Sequence, residues 1–265
     1  VGSSEKAGPL VVKIGGSALA ATDTSLDDIA ALHRAGYPVV VVHGGGVLIS
    51  QWMQRSGTPP RFVRGLRVTD PSTLEVVVAV LGGLVNKRLV ASLEARGVRA
   101  VGISGADGRL FQARQADPEL GLVGEVVAVD PTLVHLSLAQ GYVPVIAPFG
   151  LAVSEKGETD GTLLNINSDT AAGALTKALH ARMLIFLTDV EGVLDGARRL
   201  LPRLLPQQAR ALLEGGVVAG GMIPKVEACL DALATTPITV IADGRRPHAL
   251  WDIVHGVPLG TLITR

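Results

Sequence analysis

Several short segments of this 265-residue chain place lysine, arginine, aspartate, asparagine or clustered glycine where a strand or helix would end. Val11–Ser17 reads VVKIGGS, a buried-strand pattern whose last polar residue is Lys13, followed by Gly15 and Gly16. Val39–Gly46 reads VVVVHGGG and repeats the device. Paired glycines after a strand let the backbone approach an anion and present N–H groups to it. The bland alternative is a glycine turn required only for tight packing. Two such loops on neighbouring strands would share the carboxyl edge at which α/β sheets bind ligands. Neither has the spacing of a Walker loop or of a GxGxxG dinucleotide fingerprint. His43, set between a valine run and glycines, reads as structural in preference to a base.

Gly65–Asp70 reads GLRVTD, and the planar fork of Arg67 suits a carboxylate, or else a helix start on the surface. In LNINSDT, Leu164–Thr170, the residues Asn165, Asn167 and Asp169 alternate, so an extended segment would point them to one side. That makes a ligand floor, or a helix cap at Ser168 or Asp169. Leu187–Asp195, LTDVEGVLD, is a buried strand ending in Thr-Asp and a glycine turn able to hold a nucleotide. Gly220–Val226, GGMIPKV, puts Lys225 at a helix start, where its charge opposes the helix dipole and wants an anion. Asn86-Lys87-Arg88 reads as the solvated face of a helix. Two lysines, glycine amides, an aspartate, an arginine and an asparagine suit phosphoryl transfer, which depends on positioning and charge stabilisation. A carboxylate acceptor, ionised at neutral pH with a pKa of about 4.3, needs no general base.

Strand–helix alternation must position these groups. Leu10–Ile14, Pro38–Val42, Arg99–Ile103, Tyr142–Ala147, Met183–Thr188 and Thr236–Ile241 are short and β-branched, as strands are. Helices are expected over Ser25–Ala35, Val47–Ser56, Pro71–Arg96, Pro131–Gln140, Ser168–Leu179, Gln207–Leu213, Lys225–Ala234 and Pro247–Val254. Asp70-Pro71 and Asp130-Pro131 are start signals. The pattern predicts a mainly parallel, doubly wound sheet with helices on both faces. Arg109–Asp130 departs from it and reads as an antiparallel hairpin over one edge. The least strained boundary between lobes lies near Leu179–Arg182.

Lys+Arg and Asp+Glu are balanced at 24 each, so no basic footprint invites nucleic acid. The single cysteine, Cys229, excludes an intramolecular disulfide and a cysteine-built zinc site and fits a reducing cytosol. The mean hydropathy of +0.40 comes from short Val, Leu and Ala runs, none approaching the roughly 20 residues of a membrane span. A cytoplasmic, globular chain is expected.

The set KIGGS, HGGG, GLRVTD, NINSDTAAGAL, LTDVEGVLD and GGMIPKVEACLDAL, in this order, resembles the acetylglutamate kinase branch of the amino-acid kinase family, from Leu10 to Arg265. The resemblance implies a three-layer α/β/α sandwich. Residues 1–180 would form a lobe for N-acetyl-L-glutamate and dimerisation, and residues 181–265 a lobe for ATP. It implies that Lys13 and Lys225 stabilise the phosphoryl group in flight and that Asp169 holds the two lysines. Gly15, Gly16 and Gly45 would donate N–H groups to the phosphoryl group. Gly44, Gly45, Arg67 and Asn165 would grip the amino acid, with Arg67 on its α-carboxylate. Thr188, Asp189, Val190, Glu191, Gly192, Val193 and Leu194, with Val217, Val218 and Ala219, would surround adenine and ribose. Mg²⁺ would bridge phosphate oxygens with no side-chain ligand named.

Two features depart from the family pattern. The short segment before the first strand suggests an arginine-insensitive homodimer without the N-terminal helix of arginine-inhibited members. Gly196–Pro206 is compact for the nucleotide-side hairpin. The alternative substrate is a carrier-protein-linked aminoadipate or glutamate, as in lysine biosynthesis. A non-catalytic amino-acid sensor would be expected to lack Lys13, Lys225 or Asp169, and all three are present.

Overall fold

The computed structural model describes residues 8–15 and 24–265; Gly16 lies outside the described residues. The chain opens with β1 (Leu10–Ile14), α1 (Ser25–Arg34), β2 (Val39–His43) and α2 (Gly46–Arg55). A short hairpin, β3 (Phe62–Val63) and β4 (Leu66–Arg67), leads into α3 (Pro71–Val78). Winding loosens to a π-helix over Ala79–Val85 and resumes as α4 (Asn86–Glu94). Then come β5 (Ala100–Ser104), β6 (Phe111–Gln115), β7 (Val123–Val129), α5 (Thr132–Ala139), β8 (Val143–Ala147), β9 (Phe149–Ala152), β10 (Leu163–Ile166) and α6 (Ser168–Ala178). The remainder is β11 (Met183–Thr188), β12 (Arg203–Leu204), α7 (Pro206–Glu214), α8 (Met222–Ala232), β13 (Ile238–Asp243), α9 (Ala249–Val254) and β14 (Thr261–Thr264).

Eight strands form the central sheet in the order β12-β14-β13-β11-β1-β2-β8-β5. From β13 to β5 all neighbours are parallel, whereas β14 runs antiparallel to β13, with β12 parallel to β14 at the edge. β1, β2 and β11 are buried along their whole length, which is why they are continuous apolar runs. Alternation divides β1 between two cores. Leu10, Val12 and Ile14 join one cluster, with residues of α1, α3 and α4. Val11 joins the other, with residues of α6 and α8, and Lys13 shares its face.

The expected helix from Pro71 is a continuous helical run, Pro71–Glu94, of 24 residues. Asp70 caps it by accepting from the Thr73 N–H, a contact worth about 1 kcal/mol. By length and composition this run could cross a bilayer. Glu75, Asn86 and Lys87 interrupt its apolar run, in keeping with the expectation that no apolar stretch approaches about 20 residues, without ending the helix. Val77, Val80, Leu81, Val85, Leu89 and Leu93 turn one side of it into the first core.

β6 and β7 pair antiparallel, as expected for Arg109–Asp130. They do not stand alone: β9 and β10 close the pair into a small four-stranded barrel, β10-β7-β6-β9. The sequence hides these two strands because each has four residues, and Gly150 in β9 and Asn165 in β10 interrupt the apolar pattern.

Candidate active site

Lys13, Asp169 and Lys225 meet through packing of α6 and α8 over β1. Asn167 caps α6, its Oδ1 accepting the N–H groups of Asp169 at 2.8 Å and Thr170 at 3.2 Å. Asp169 is thereby held in the first turn. One turn on, Gly173 lets α8 approach: a Cβ there would lie 2.9 Å from Ala228 Cβ. The close crossing brings Lys225, one turn before Ala228, to Asp169. Lys13 Nζ lies 2.7 Å from Asp169 Oδ1, and Lys225 Nζ lies 2.8 Å from Oδ2. Lys225 Nζ also donates to the Gly221 carbonyl at 3.0 Å.

Burial alone would raise the Asp169 pKa, but the charges of Lys13 and Lys225 outweigh it and hold the carboxyl below its usual range. Two ammonium groups and one carboxylate leave one net positive charge at side chains no more than 13% exposed. A buried site with that surplus attracts an anion.

The alternation of Asn165, Asn167 and Asp169 does not produce one shared face. β10 ends at Ile166 and α6 starts at Ser168, so the period changes from two to 3.6 inside the motif. Asn165 donates to Thr69 Oγ1 at 3.1 Å, Asn167 caps, and Asp169 joins the lysines. The cap is therefore Asn167, and neither Ser168 nor Asp169 takes that role.

Gly44, Gly45, Arg67 and Asn165 all line one open cleft of about 600 Å³, with Phe62 and Leu81. Arg67 is 7% exposed. It donates to Gly46 O at 2.9 Å, Ser50 Oγ at 2.8 Å and Met53 Sδ at 3.2 Å, and its guanidinium lies 4.8 Å from the Phe62 ring centroid. Burial lowers its pKa, yet a guanidinium stays protonated in proteins. Among the described residues no carboxylate pairs with it, so the cleft holds a second unbalanced cation. The Gly44 N–H is donated to Ile14 O at 3.1 Å, whereas the Gly45 N–H has no acceptor among the described residues. Leu81 Cδ2 lies 2.5 Å from where a Gly45 Cβ would be, so a side chain there would have to displace Leu81.

His43 is engaged by the protein on both ring nitrogens. Its ring is buried, its Nδ1 is 3.0 Å from Gly44 O, and its Nε2 is 3.2 Å from Asn86 Nδ2. Burial, with the charges of Lys13 and Lys87, pushes its pKa down to about 4 against the smaller opposing pull of the Gly44 carbonyl. Asn86 is 1% exposed, which corrects the reading of this helix segment as solvated: only Lys87 and Arg88 face water.

On the other side of β1, β11 and β13 end at the same edge. Gly15 donates its N–H to Leu187 O at 3.1 Å, extending the ladder, so this amide is engaged and Gly45 supplies the unengaged one. Thr188 Oγ1 lies 3.2 Å from Asp189 Oδ1, and Asp189, Val190 and Glu191 are exposed beyond it. Glu191 lines a second cleft of about 560 Å³ with Leu200, Asp243, Arg246 and Gly260. Gly192 packs against Thr261 and Leu200, and Leu194 bridges to Leu200. Val193 and Val218 turn into the second core, leaving Val217 and Ala219 exposed beside them. Phe62, Thr69 and Arg246 escaped the sequence reading. The signal for Arg246 was IADGRR, another strand followed directly by glycine.

The family described as amino acid kinase matches residues 8–242 of the chain. Acetylglutamate kinase of Solibacter usitatus (strain Ellin6076) is 44% identical over 256 residues, covering 95% of this chain and 97% of that protein. The acetylglutamate kinase of Synechococcus sp. (strain RCC307) is 45% identical over 263 residues, covering 96% and 87%. Among solved structures, smu.665 from Streptococcus mutans UA159 superposes with a TM-score of 0.80 at 31% identity, covering 96% of this chain and 98% of that one. With likeness over nearly its whole length, the chain belongs to the amino acid kinase family, in its acetylglutamate kinase branch.

Proposed function

We propose that the chain transfers the γ-phosphoryl group of ATP to the side-chain carboxylate of N-acetyl-L-glutamate. The products are N-acetyl-L-glutamyl 5-phosphate and ADP, the second step of arginine biosynthesis. The observation that carries this reading is the buried, net-positive set of Lys13, on β1 between the two clefts, with Asp169 of α6 and Lys225 of α8. The loop after β2 lines the cleft of Arg67, the end of β13 lines that of Glu191, and β1 and β11 lie between β2 and β13 in the sheet.

The carboxylate attacks γ-phosphorus, one O–P bond forms, and the bond to the β,γ-bridging oxygen breaks. No proton moves, because the acceptor is already ionised at neutral pH. Lys13 and Lys225 face the charge that spreads over the transferring oxygens, and Asp169 keeps both ammonium groups in place. Arg67 holds the α-carboxylate, and Gly44, Gly45 and Asn165 hold the rest of the amino acid. Residues 188–194 and 217–219 sit beside the nucleotide, and residues 1–180 and 181–265 serve as amino-acid and ATP lobes.

Among the described residues no trio of His, Cys, Asp or Glu is arranged to hold a metal, and both Asp169 oxygens face lysines. Mg²⁺ bound with the nucleotide would supply charge neutralisation, and no side-chain ligand is assigned to it. A homodimer and a cytoplasmic location belong to the same reading. The location is supported by the single cysteine, Cys229, which is free and buried.

Trapping the acyl phosphate with hydroxylamine tests the reaction. Hydroxamate that requires ATP and the N-acetyl group is expected. An ATP-binding protein silent with N-acetyl-L-glutamate but active on a carrier-linked substrate would overturn it.

A further inference from the structure

Past the end of β2, the sheet stops controlling the backbone. The Gly44 N–H is still tied to Ile14 O, but the next peptide, Gly44–Gly45, has no ladder partner on its carbonyl among the described residues. That carbonyl meets His43 Nδ1 instead, at 3.0 Å. A trans peptide points its C=O and N–H in opposite directions. Holding Gly44 O toward His43 therefore turns the Gly45 N–H away from the ring, and Gly44, Gly45 and Gly46 line the cleft. Glycine on both sides of a peptide leaves it little intrinsic preference against flipping.

His43 can hold that carbonyl only with its proton on Nδ1, and its neighbours decide where the proton sits. Lys87 Nζ donates to Asn86 Oδ1 at 3.1 Å, which fixes the amide orientation. Asn86 Nδ2 then donates to Val145 O at 2.8 Å and toward His43 Nε2 at 3.2 Å. With Nε2 accepting, the neutral ring carries its proton on Nδ1 and donates it to Gly44 O.

We propose that His43 is a positioning residue for phosphoryl transfer: Asn86 selects its Nδ1–H tautomer, and its bond to the Gly44 carbonyl aims the Gly45 N–H at the anion in the cleft. This rests on the reaction assigned above. His43 touches no substrate in this scheme and acts through the glycine peptide alone.

Three measurements test it. Nitrogen NMR of the wild-type ring at pH 7 is expected to show a protonated Nδ1 and a bare Nε2; a protonated Nε2 overturns the proposal. His43→Leu, which removes the donor, is expected to lower kcat by about 10- to 100-fold, below the usual loss for deleting an oxyanion donor, since the amide is misaimed and still present. Both KM values should stay within about twofold, as for an interaction made mainly in the transition state. His43→Asn returns an N–H near the Nδ1 position and should recover most of the lost kcat. If His43→Leu does not fold, His43→Gln serves in its place: its amide sits at the ε position, so it should be impaired where His43→Asn is not. Equal kcat in the Asn variant and its comparison variant, or wild-type kcat in His43→Leu, overturns the proposal. Absence of hydroxamate from the wild type overturns the assigned reaction, and the proposal with it. Wild-type turnover insensitive to His43→Leu overturns the proposal alone.

Discussion

Gly173 on α6 faces Ala228 on α8 so closely that an added Cβ would sit 2.9 Å from Ala228 Cβ and 3.1 Å from its Cα and carbonyl oxygen. One turn away, the same crossing sets Asp169 and Lys225 at 2.8 Å. Spacing between two helices here becomes spacing between two charges. Gly173→Val should push α8 outward, costing about 1–3 kcal/mol of stability, the usual range for overpacking. It should lower kcat more than it raises either KM. A variant with a lower Tm and unchanged kcat would detach the crossing from the chemistry.

Lys13→Ala and Lys225→Ala should each lower kcat by about two to four orders of magnitude, since each removes a charge acting mainly on the transition state. Steady-state hydroxamate assays read this directly. Unchanged kcat in either variant contradicts the assigned role.

Asp169→Ala should behave differently. It leaves two ammonium groups, 7% and 13% exposed, facing each other without a counter-ion. Breaking a buried pair by removing one partner costs about 3–5 kcal/mol, so a large loss in urea midpoint should accompany the loss of activity. A midpoint equal to that of the wild type would show that the lysines move apart at no cost.

Arg67→Ala should mainly raise the KM for the amino acid, because the group it holds does not react. N-acetyl-L-glutamate should raise the Tm of the wild type and fail to raise that of the variant. A change confined to ATP affinity would refute the assignment of this cation to the amino-acid cleft.

The His43 pKa, pushed down to about 4 by burial, has a consequence for stability against pH. The unfolded chain binds a proton at this histidine below about 6.5, and the folded one does so only near 4. Between those values the unfolded state carries more protons, so stability falls as pH drops through the interval, by about 3 kcal/mol in all. Above about pH 6.5 the histidine contributes no slope. Urea midpoints of wild type and His43→Asn at pH 4.5, 6 and 7.5 should diverge at the acid end, the variant losing less. Parallel curves would mean that His43 protonates in place.

Much of the site was legible before any tertiary contact was known. Lys13 before Gly15, Arg67 in GLRVTD, Asp169 in the NINSDT run and Lys225 at a helix start stand out because each is a polar residue where local pattern calls for something else. The strands that carry or flank them are legible for the same reason: a strand buried on both faces has to be a β-branched apolar run. Met183–Thr188 was expected with the bounds it has.

Contacts between distant segments were not legible. No local rule makes the two Asp169 oxygens face lysines from opposite ends of the chain; that follows from the sheet order, with β1 next to β11, and from the Gly173–Ala228 crossing. The switch from strand to helix inside LNINSDT scattered three residues that the extended pattern aligned. Asn86 looked solvated because its neighbours Lys87 and Arg88 are, yet the helix turns it inward to His43 and Val145. The closure of β9 and β10 on β6 and β7 was equally hidden, since each strand is too short to declare itself. Residue type and local period can name the groups that do chemistry, because those depend on a few neighbours in sequence. Which groups meet, and with what net charge, depends on sheet order and helix crossing, which only the packed chain decides.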